Sequence, residues 1–207
     1  HKEVVKINTA NGAVTGVTLK TGETFNAPTV INAAGPHAAA INRMAGVYDE
    51  MKVHHQPLRQ EVFSPPAPVG FRLEDNAPIV ADLDLGQYFR PHMGDLLNVG
   101  TTEPACDELH FIDDADDWND SVTVEFFERV MLRLARRLPD FGVPLKLLGI
   151  GALYDVTDDW IPLYDKSSLN GFFMACGTSG NQFKNAPLVG KFIRALVEAQ
   201  EQGIDHD

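Results

Sequence analysis

The first thirty residues alternate apolar and polar positions, broken at regular intervals by turn residues. Val4-Val5-Lys6-Ile7, the pair Asn11-Gly12, Val14-Thr15-Gly16-Val17-Thr18-Leu19, Thr21-Gly22 and Thr24-Phe25 read as a β-meander over residues 3 to 32. The next strand differs in kind. Pro28-Thr29-Val30-Ile31-Asn32 runs into Ala33-Ala34-Gly35-Pro36, and small apolar residues continue through Ala45 before Gly46. A strand that ends in tiny residues and turns into a helix marks a close approach, because no side chain keeps a second backbone or a ligand away.

A second β region begins at residues 53 to 63, followed by a Pro-rich loop at 64 to 68 and predicted strands at 78–82, 86–90 and 96–99, with a turn at Gly94-Asp95. Short strands joined by turns predict an antiparallel sheet. Phe127, Val130, Met131, Leu134 and Leu138 then recur at helical spacing before Pro139. Strands are predicted at 145–155, 161–164 and 171–176, and a last helix places Val189, Phe192, Ile193, Leu196 and Val197 inward, with Gly203 as its stop. Between that last strand and helix lies Gly177-Thr178-Ser179-Gly180-Asn181-Gln182-Phe183-Lys184-Asn185-Ala186-Pro187. Two glycines three apart permit a tight turn, one cation follows, and Pro187 opens the helix.

Composition narrows the function. With 17 basic and 29 acidic residues the chain carries a net charge of -12, which repels nucleic acid and anionic membranes. The densest basic cluster, Arg129, Arg133, Arg136 and Arg137, has helical spacing and reads as a solvated helix face. No apolar run approaches the ~20 residues of a membrane span, and no signal-peptide pattern opens the sequence. Cys106 and Cys176 stand alone, without zinc or disulfide spacing, which fits a reducing, cytoplasmic compartment and no metal. Asp113, Asp114, Asp116 and Asp117 lack the Gly and Glu of a calcium loop and read as a solvated turn. Of the neighbours His54 and His55, strand alternation lets at most one enter a site. The chain lacks an initiating Met and opens on a strand pattern, as the later part of a longer protein would.

A dinucleotide-binding domain is normally announced by Gly-x-Gly-x-x-Gly between its first strand and helix. The sequence contains none: Gly149-Ile150-Gly151-Ala152-Leu153-Tyr154 has the first half, but Tyr154 replaces the third glycine and no helix pattern follows. This segment reads instead as a strand with close backbone packing.

Taken in order, Val30-Ile31-Asn32-Ala33-Ala34-Gly35, Gln56-Pro57-Leu58-Arg59-Gln60, Tyr88-Phe89-Arg90-Pro91 with Gly100, Tyr154-Asp155-Val156-Thr157-Asp158-Asp159-Trp160-Ile161-Pro162 and Gly177 to Pro187 with Gly190 resemble the FAD-dependent amine and amino-acid oxidase family. The likeness is greatest to its sarcosine oxidase and dimethylglycine dehydrogenase branch. It implies an α+β chain with three parts: residues 1–50 belonging to a split FAD-binding α/β domain, 51–148 forming an antiparallel substrate-binding sheet with a helix, and 149–207 returning to the FAD-binding domain. The segment bearing Gly-x-Gly-x-x-Gly would precede His1, so that this chain alone would hold FAD weakly or not at all.

The resemblance also implies residue roles. Ala33, Ala34 and Gly35 would pass near the cofactor's phosphates and ribose, and Gly177, Thr178, Ser179, Gly180, Asn181, Gln182, Phe183 and Lys184 would wrap the isoalloxazine ring. Lys184 would sit by flavin and substrate as the catalytic cation, where fixed positive charge stabilises a reduced flavin. A bland reading makes Phe183 core and Lys184 a solvated helix-start lysine. Arg59 and Arg90 are candidates for gripping a substrate carboxylate, with Tyr88 and Tyr154 lining an amine pocket; surface ion pairs and core packing explain the same residues. Arg59 could also tie the inserted sheet to the flavin domain. Two departures limit the transfer. Ala152-Leu153-Tyr154 lacks the arginine of the glycine oxidase and D-amino acid oxidase clamp, and Ala152 stands where some sarcosine oxidases carry a flavin-linking cysteine. The expected activity is oxidation of the carbon–nitrogen bond of an N-methylated or secondary amino acid. The alternatives are a flavin enzyme for another substrate, such as glycerol 3-phosphate, and a non-catalytic β-rich binding module.

Overall fold

The structure is a computed structural model that describes residues 2–204. It is a mixed α/β chain with antiparallel sheets and few helices, divided into two compact units. The first holds residues His1–Leu58, Ile112–Ala115 and Tyr154–Asp207; the second holds Arg59–Phe111 and Asp116–Leu153.

In the first unit, strands β1 (Val4–Ala10), β2 (Ala13–Leu19) and β3 (Thr24–Asn26) form the antiparallel meander that the alternation predicts. Asn11 and Gly12 take φ of 53° and 76°, the left-handed pair that matches a two-residue turn to the twist of the hairpin. Strand β4 (Val30–Asn32) leads into a short 3-10 turn and helix α1 (Ala38–Met44). A second sheet has the order β11-β12-β4, where β11 is Leu163–Lys166 and β12 is Phe172–Cys176. β12 runs antiparallel to β11 but parallel to β4. Ile7, Val14, Ala38, Val47, Phe172 and Met174 make the core beneath these elements.

The last helix, α3 (Ala186–Glu201), departs from its pattern. Of the five apolar residues expected inward, Ile193 is buried, while Val189, Leu196 and Val197 are half-buried and Phe192 is 52% exposed. Amphipathic spacing groups apolar residues on one side of a helix, but tertiary contacts decide whether that side is covered.

The chain enters the second unit within β5 (His55–Phe63) and leaves it within β10 (Gly149–Thr157). With β6 (Val80–Asp82), β7 (Gln87–His92) and β8 (Leu96–Thr101) these strands are ordered β10-β5-β8-β7-β6, β5–β8, β8–β7 and β7–β6 pair antiparallel, and the two-residue β9 (His110–Phe111) lies off this path. Helix α2 (Val124–Arg137) covers the core with Phe126, Phe127, Val130, Met131 and Leu134, and Phe127 meets Phe63 edge-on at 5.4 Å. Its basic face is less solvated than the spacing suggests. Arg133 donates to both oxygens of Asp107 at 2.7 and 2.6 Å, and Arg137 pairs with Asp82. The acid residues that neutralise this face come from elsewhere in the chain, Asp107 from a loop and Asp82 from β6, so helical spacing alone could not reveal them. Gly149 and Gly151 have the close packing expected of a strand: a Cβ would come within 2.6 Å of the Val62 and Asp120 carbonyl oxygens respectively.

Candidate functional site

Parallel pairing of β4 with β12 matches Val30 with Phe172, Ile31 with Phe173 and Asn32 with Met174. The carboxyl ends of both strands therefore lie side by side, and the loops 33–35 and 177–183, some 140 residues apart in sequence, leave the sheet at the same end. Ala33 and Ala34 are exposed, and a Cβ on Gly35 (φ 57°) would meet nothing within 4 Å. Small residues thus leave open space beside the strand end.

The second loop is more tightly determined. Gly177, Ser179 and Gly180 take φ of 63°, 47° and 72°. A Cβ on Gly177 would come within 2.3 Å of Thr157 Cγ2, and one on Gly180 within 2.2 Å of the Tyr154 ring. Tyr154 therefore lies against the turn itself. Ser179 is buried and adopts a left-handed conformation unfavourable to a residue with a Cβ. Its N–H donates to the Asp155 carbonyl at 2.7 Å and its Oγ to the Gly177 carbonyl at 3.2 Å, which offsets that cost. Beyond it, Asn181 N–H closes a turn onto the Thr178 carbonyl at 3.1 Å, and Tyr164 and Asn185 both donate to Gln182 Oε1. Thr178 is half-buried and Gly180 exposed. Phe183 is 97% exposed, so it is not a core residue, and the exposed Lys184 folds back to donate from Nζ to the Asn181 carbonyl at 2.5 Å.

Four buried polar side chains lie beneath the two loops. Asn32 Oδ1 accepts the Ala34 N–H at 3.2 Å, Asn32 Nδ2 donates to Asn42 Oδ1 at 2.7 Å, and Asn42 Nδ2 lies 2.9 Å from His55 Nε2. His55 Nδ1 lies 2.7 Å from Asp155 Oδ1, whose other oxygen accepts the Gly177 N–H at 2.6 Å. Sequence reasoning singled out none of Asn32, Asn42 and Asp155 as site residues. The available signal was a polar residue in each of two otherwise apolar strand segments, Asn32 closing one and Asp155 interrupting the other, since a buried amide or carboxylate must find partners. Cys176 lies beside Asn42, and burial, with Asp155 adding, pushes its thiol up to about 12, so it stays protonated and inert.

The predicted substrate residues divide between the units. Tyr154 belongs to the first; Arg59, Tyr88 and Arg90 belong to the second. Alternation along β7 buries Gln87, Phe89 and Pro91 and leaves Tyr88 and Arg90 half-buried together on the other face, with Tyr88 lying over Gly100 of the neighbouring strand. Arg90 Nη1 reaches the Pro91 carbonyl at 3.3 Å. Arg59 is not placed as a carboxylate clamp. Its Nε, Nη1 and Nη2 donate to the Asn119 carbonyl, Glu61 Oε1 and the Ser121 carbonyl at 2.7, 2.7 and 2.6 Å, and all of these groups belong to the second unit. The guanidinium instead holds the segment ahead of α2 against β5. The acidic residues 113, 114, 116 and 117 are exposed. Among the described residues no group of three or more His, Cys, Asp or Glu could hold a metal, and no helix is long and apolar enough to cross a membrane.

Exposed small residues at one strand end, a left-handed turn at the next and the start of a long helix beyond it fit the approach of a nucleotide-sized cofactor. Residues 1–196 match the model of the DAO family, described as FAD dependent oxidoreductase. No curated protein sequence matches. Among solved structures, L-proline dehydrogenase from P. horikoshii is 22% identical with a TM-score of 0.74, over 99% of this chain and 50% of its own. Glycine oxidase from Geobacillus kaustophilus is also 22% identical, with a TM-score of 0.73 over 99% and 50%. Iminodiacetate oxidase from Chelativorans sp. BNC1 is 14% identical, with a TM-score of 0.72 over 96% and 49%. This chain thus spans about half the length of the solved structures it matches, and at these identities the likeness is one of fold.

Proposed function

We propose, from the premise that this chain belongs to the FAD dependent oxidoreductase family, that it supplies the substrate sheet and one side of the flavin site of an enzyme oxidising a carbon–nitrogen bond. The observation that carries this reading is the parallel pairing of β4 with β12, which puts the loops 33–35 and 177–183 at one end of one sheet. FAD, when bound, would supply the two-electron oxidation of the substrate. Ala33, Ala34 and Gly35 would leave room for the cofactor's backbone, while the turn from Gly177 to Gln182 would present amide groups to it. Lys184 would contribute positive charge from the start of α3, after leaving its Asn181 contact. Phe183, almost fully exposed, would be covered in the loaded site.

The substrate is an N-methylated or secondary amino acid. Proline and iminodiacetate, named for two of the structural neighbours, are themselves secondary amines, which supports this choice. Tyr88 and Arg90 share a half-buried strand face suited to an amino acid's cation and carboxylate. The sequence lacks the glycine-rich loop that grips a pyrophosphate, so a complementary segment bearing Gly-x-Gly-x-x-Gly would complete the cofactor site, and the 207 residues by themselves would hold FAD weakly.

The test is a visible spectrum of this chain and of the full-length gene product, each titrated with FAD, followed by assays on sarcosine, dimethylglycine, proline and glycerol 3-phosphate. Bound flavin in the full-length protein, bleached by one of the secondary or N-methylated amino acids, is the expected result. A colourless full-length protein that ignores added FAD would refute the cofactor reading; turnover of glycerol 3-phosphate alone would refute the substrate class.

A further inference from the structure

Asn32, Asn42, His55 and Asp155 are 2%, 0%, 1% and 2% exposed, and together they run from one strand-end loop to the other. The direction of every hydrogen bond in this chain can be deduced from its anchored end. Asn32 is oriented by backbone on both sides, since Nδ2 donates to the Ala38 carbonyl at 2.9 Å and Oδ1 accepts the Ala34 N–H. The Asn42 atom facing Asn32 Nδ2 must then be its oxygen, and the Asn42 atom facing His55 Nε2 must be its NH2. An amide NH2 cannot accept, so Nε2 carries a lone pair and the ring proton sits on Nδ1, pointing at Asp155 Oδ1. Asp155 is left with one oxygen for the Gly177 N–H and its carbonyl for the Ser179 N–H. Each donor in the series aims toward Asp155, and no single link can reverse without opposing two donors or two acceptors at the next.

We propose that these four side chains act as one relay that fixes the 33–35 loop and the 177–179 turn to each other, with His55 the positioning residue at its centre in the Nδ1–H form. The relay acts by holding the backbone of both loops, through the Ala34 N–H at one end and the Gly177 N–H at the other. The proposal rests on the reading of those loops as a cofactor site only for its functional consequence, since the coupling itself is a property of the chain.

The first test is nitrogen-15 NMR of the histidine ring in the wild-type chain. The expected signature is a protonated Nδ1 and an unprotonated Nε2; the opposite tautomer would overturn the relay without any variant being made. The second is amide exchange in Asp155→Asn and Asn32→Ala. Asn at 155 can still accept the Gly177 N–H through its oxygen, but it turns an NH2 toward His55 Nδ1 and so forces the ring proton onto Nε2, against Asn42. Exchange at Ala34, four side chains away, should then rise about threefold or more, the lower range for coupled neighbours, and N32A should do the same at Gly177. Changes confined to the mutated end, with the His55 ring signals unmoved, would refute the coupling. In the full-length protein both variants should weaken FAD binding about threefold or more. Unchanged FAD affinity beside altered exchange would refute the positioning role. If the wild-type full-length protein binds no FAD, the cofactor reading fails while the tautomer and exchange results still decide the relay.

Discussion

Replacing Glu61 by Ala should cost more stability than any other single carboxylate truncation in the second unit. Glu61 is fully buried and receives Arg59 Nη1 at 2.7 Å, the Thr123 N–H at 2.8 Å and the Thr123 hydroxyl at 2.7 Å. Thr123 also caps α2 by accepting the Phe126 N–H at 3.3 Å. E61A therefore strands a buried guanidinium and loosens a helix cap in one step. Truncating one partner of a buried pair costs about 3–5 kcal/mol, a large share of the about 5–15 kcal/mol that holds a domain together. With a urea m-value of about 2 kcal/mol/M, a loss of about 4 kcal/mol moves the midpoint down by about 2 M. Trp118 lies in the second unit and Trp160 in the first, so fluorescence of a Trp160→Phe background reports the unit that contains Glu61. The double variant R59M/E61L removes both charges and should recover at least half of the loss, because no unpaired ion remains. A midpoint for E61A within about 0.5 M of wild type, or a double variant as damaged as E61A, would show that the pair does not hold this segment. Adding the single variant R59M, with substrate binding measured beside unfolding, separates the two roles offered for Arg59. A carboxylate clamp predicts that R59M spares stability and impairs substrate binding, whereas the observed contacts predict the reverse.

Two further outcomes follow from the geometry. Gly180→Ala combines a left-handed φ of 72° with a Cβ 2.2 Å from the Tyr154 ring; it should cost about 2–4 kcal/mol in urea unfolding, and a variant as stable as wild type would refute the close approach of that ring. Burial, with a smaller contribution from Asp107, raises the Glu103 carboxyl from 4.5 to about 7. The folded protein therefore binds a proton there that the unfolded chain has released, so this group lowers stability as pH rises between those two values. E103Q should melt at a higher temperature than wild type at about pH 8 and should gain less at about pH 5; an equal shift at both would refute the assignment.

Much of the local structure was legible because it rests on short-range rules. Asn11-Gly12 set the first hairpin, the apolar positions Phe127, Val130, Met131 and Leu134 set α2, and alternation along β7 set which of Tyr88, Phe89 and Arg90 share a face. Reading the inward face of α3 failed at Phe192, and reading Arg133 as solvated failed because its acid partner, Asp107, comes from outside the helix. In both cases the pattern on one element is real, but its partner is set by tertiary contacts. Arg59 illustrates the same limit, since a strand arginine looks alike whether it faces a ligand or the carbonyls of Asn119 and Ser121.

The sequence by itself determined that this chain is an α+β oxidoreductase relative, where its turns fall, and that a tight turn at Gly177 to Gly180 precedes the last helix. Turn chemistry and periodicity act over a few residues, and the order of the motifs carries the family. Only the tertiary structure decided that β4 lies parallel to β12, so that Ala33 to Gly35 and Gly177 to Gly180 share one sheet end, and that Asn32, Asn42, His55 and Asp155 meet beneath them. Parallel pairing joins strands far apart in sequence without a local turn to announce it, and a buried polar side chain reveals its need for a partner but not which partner the fold will bring.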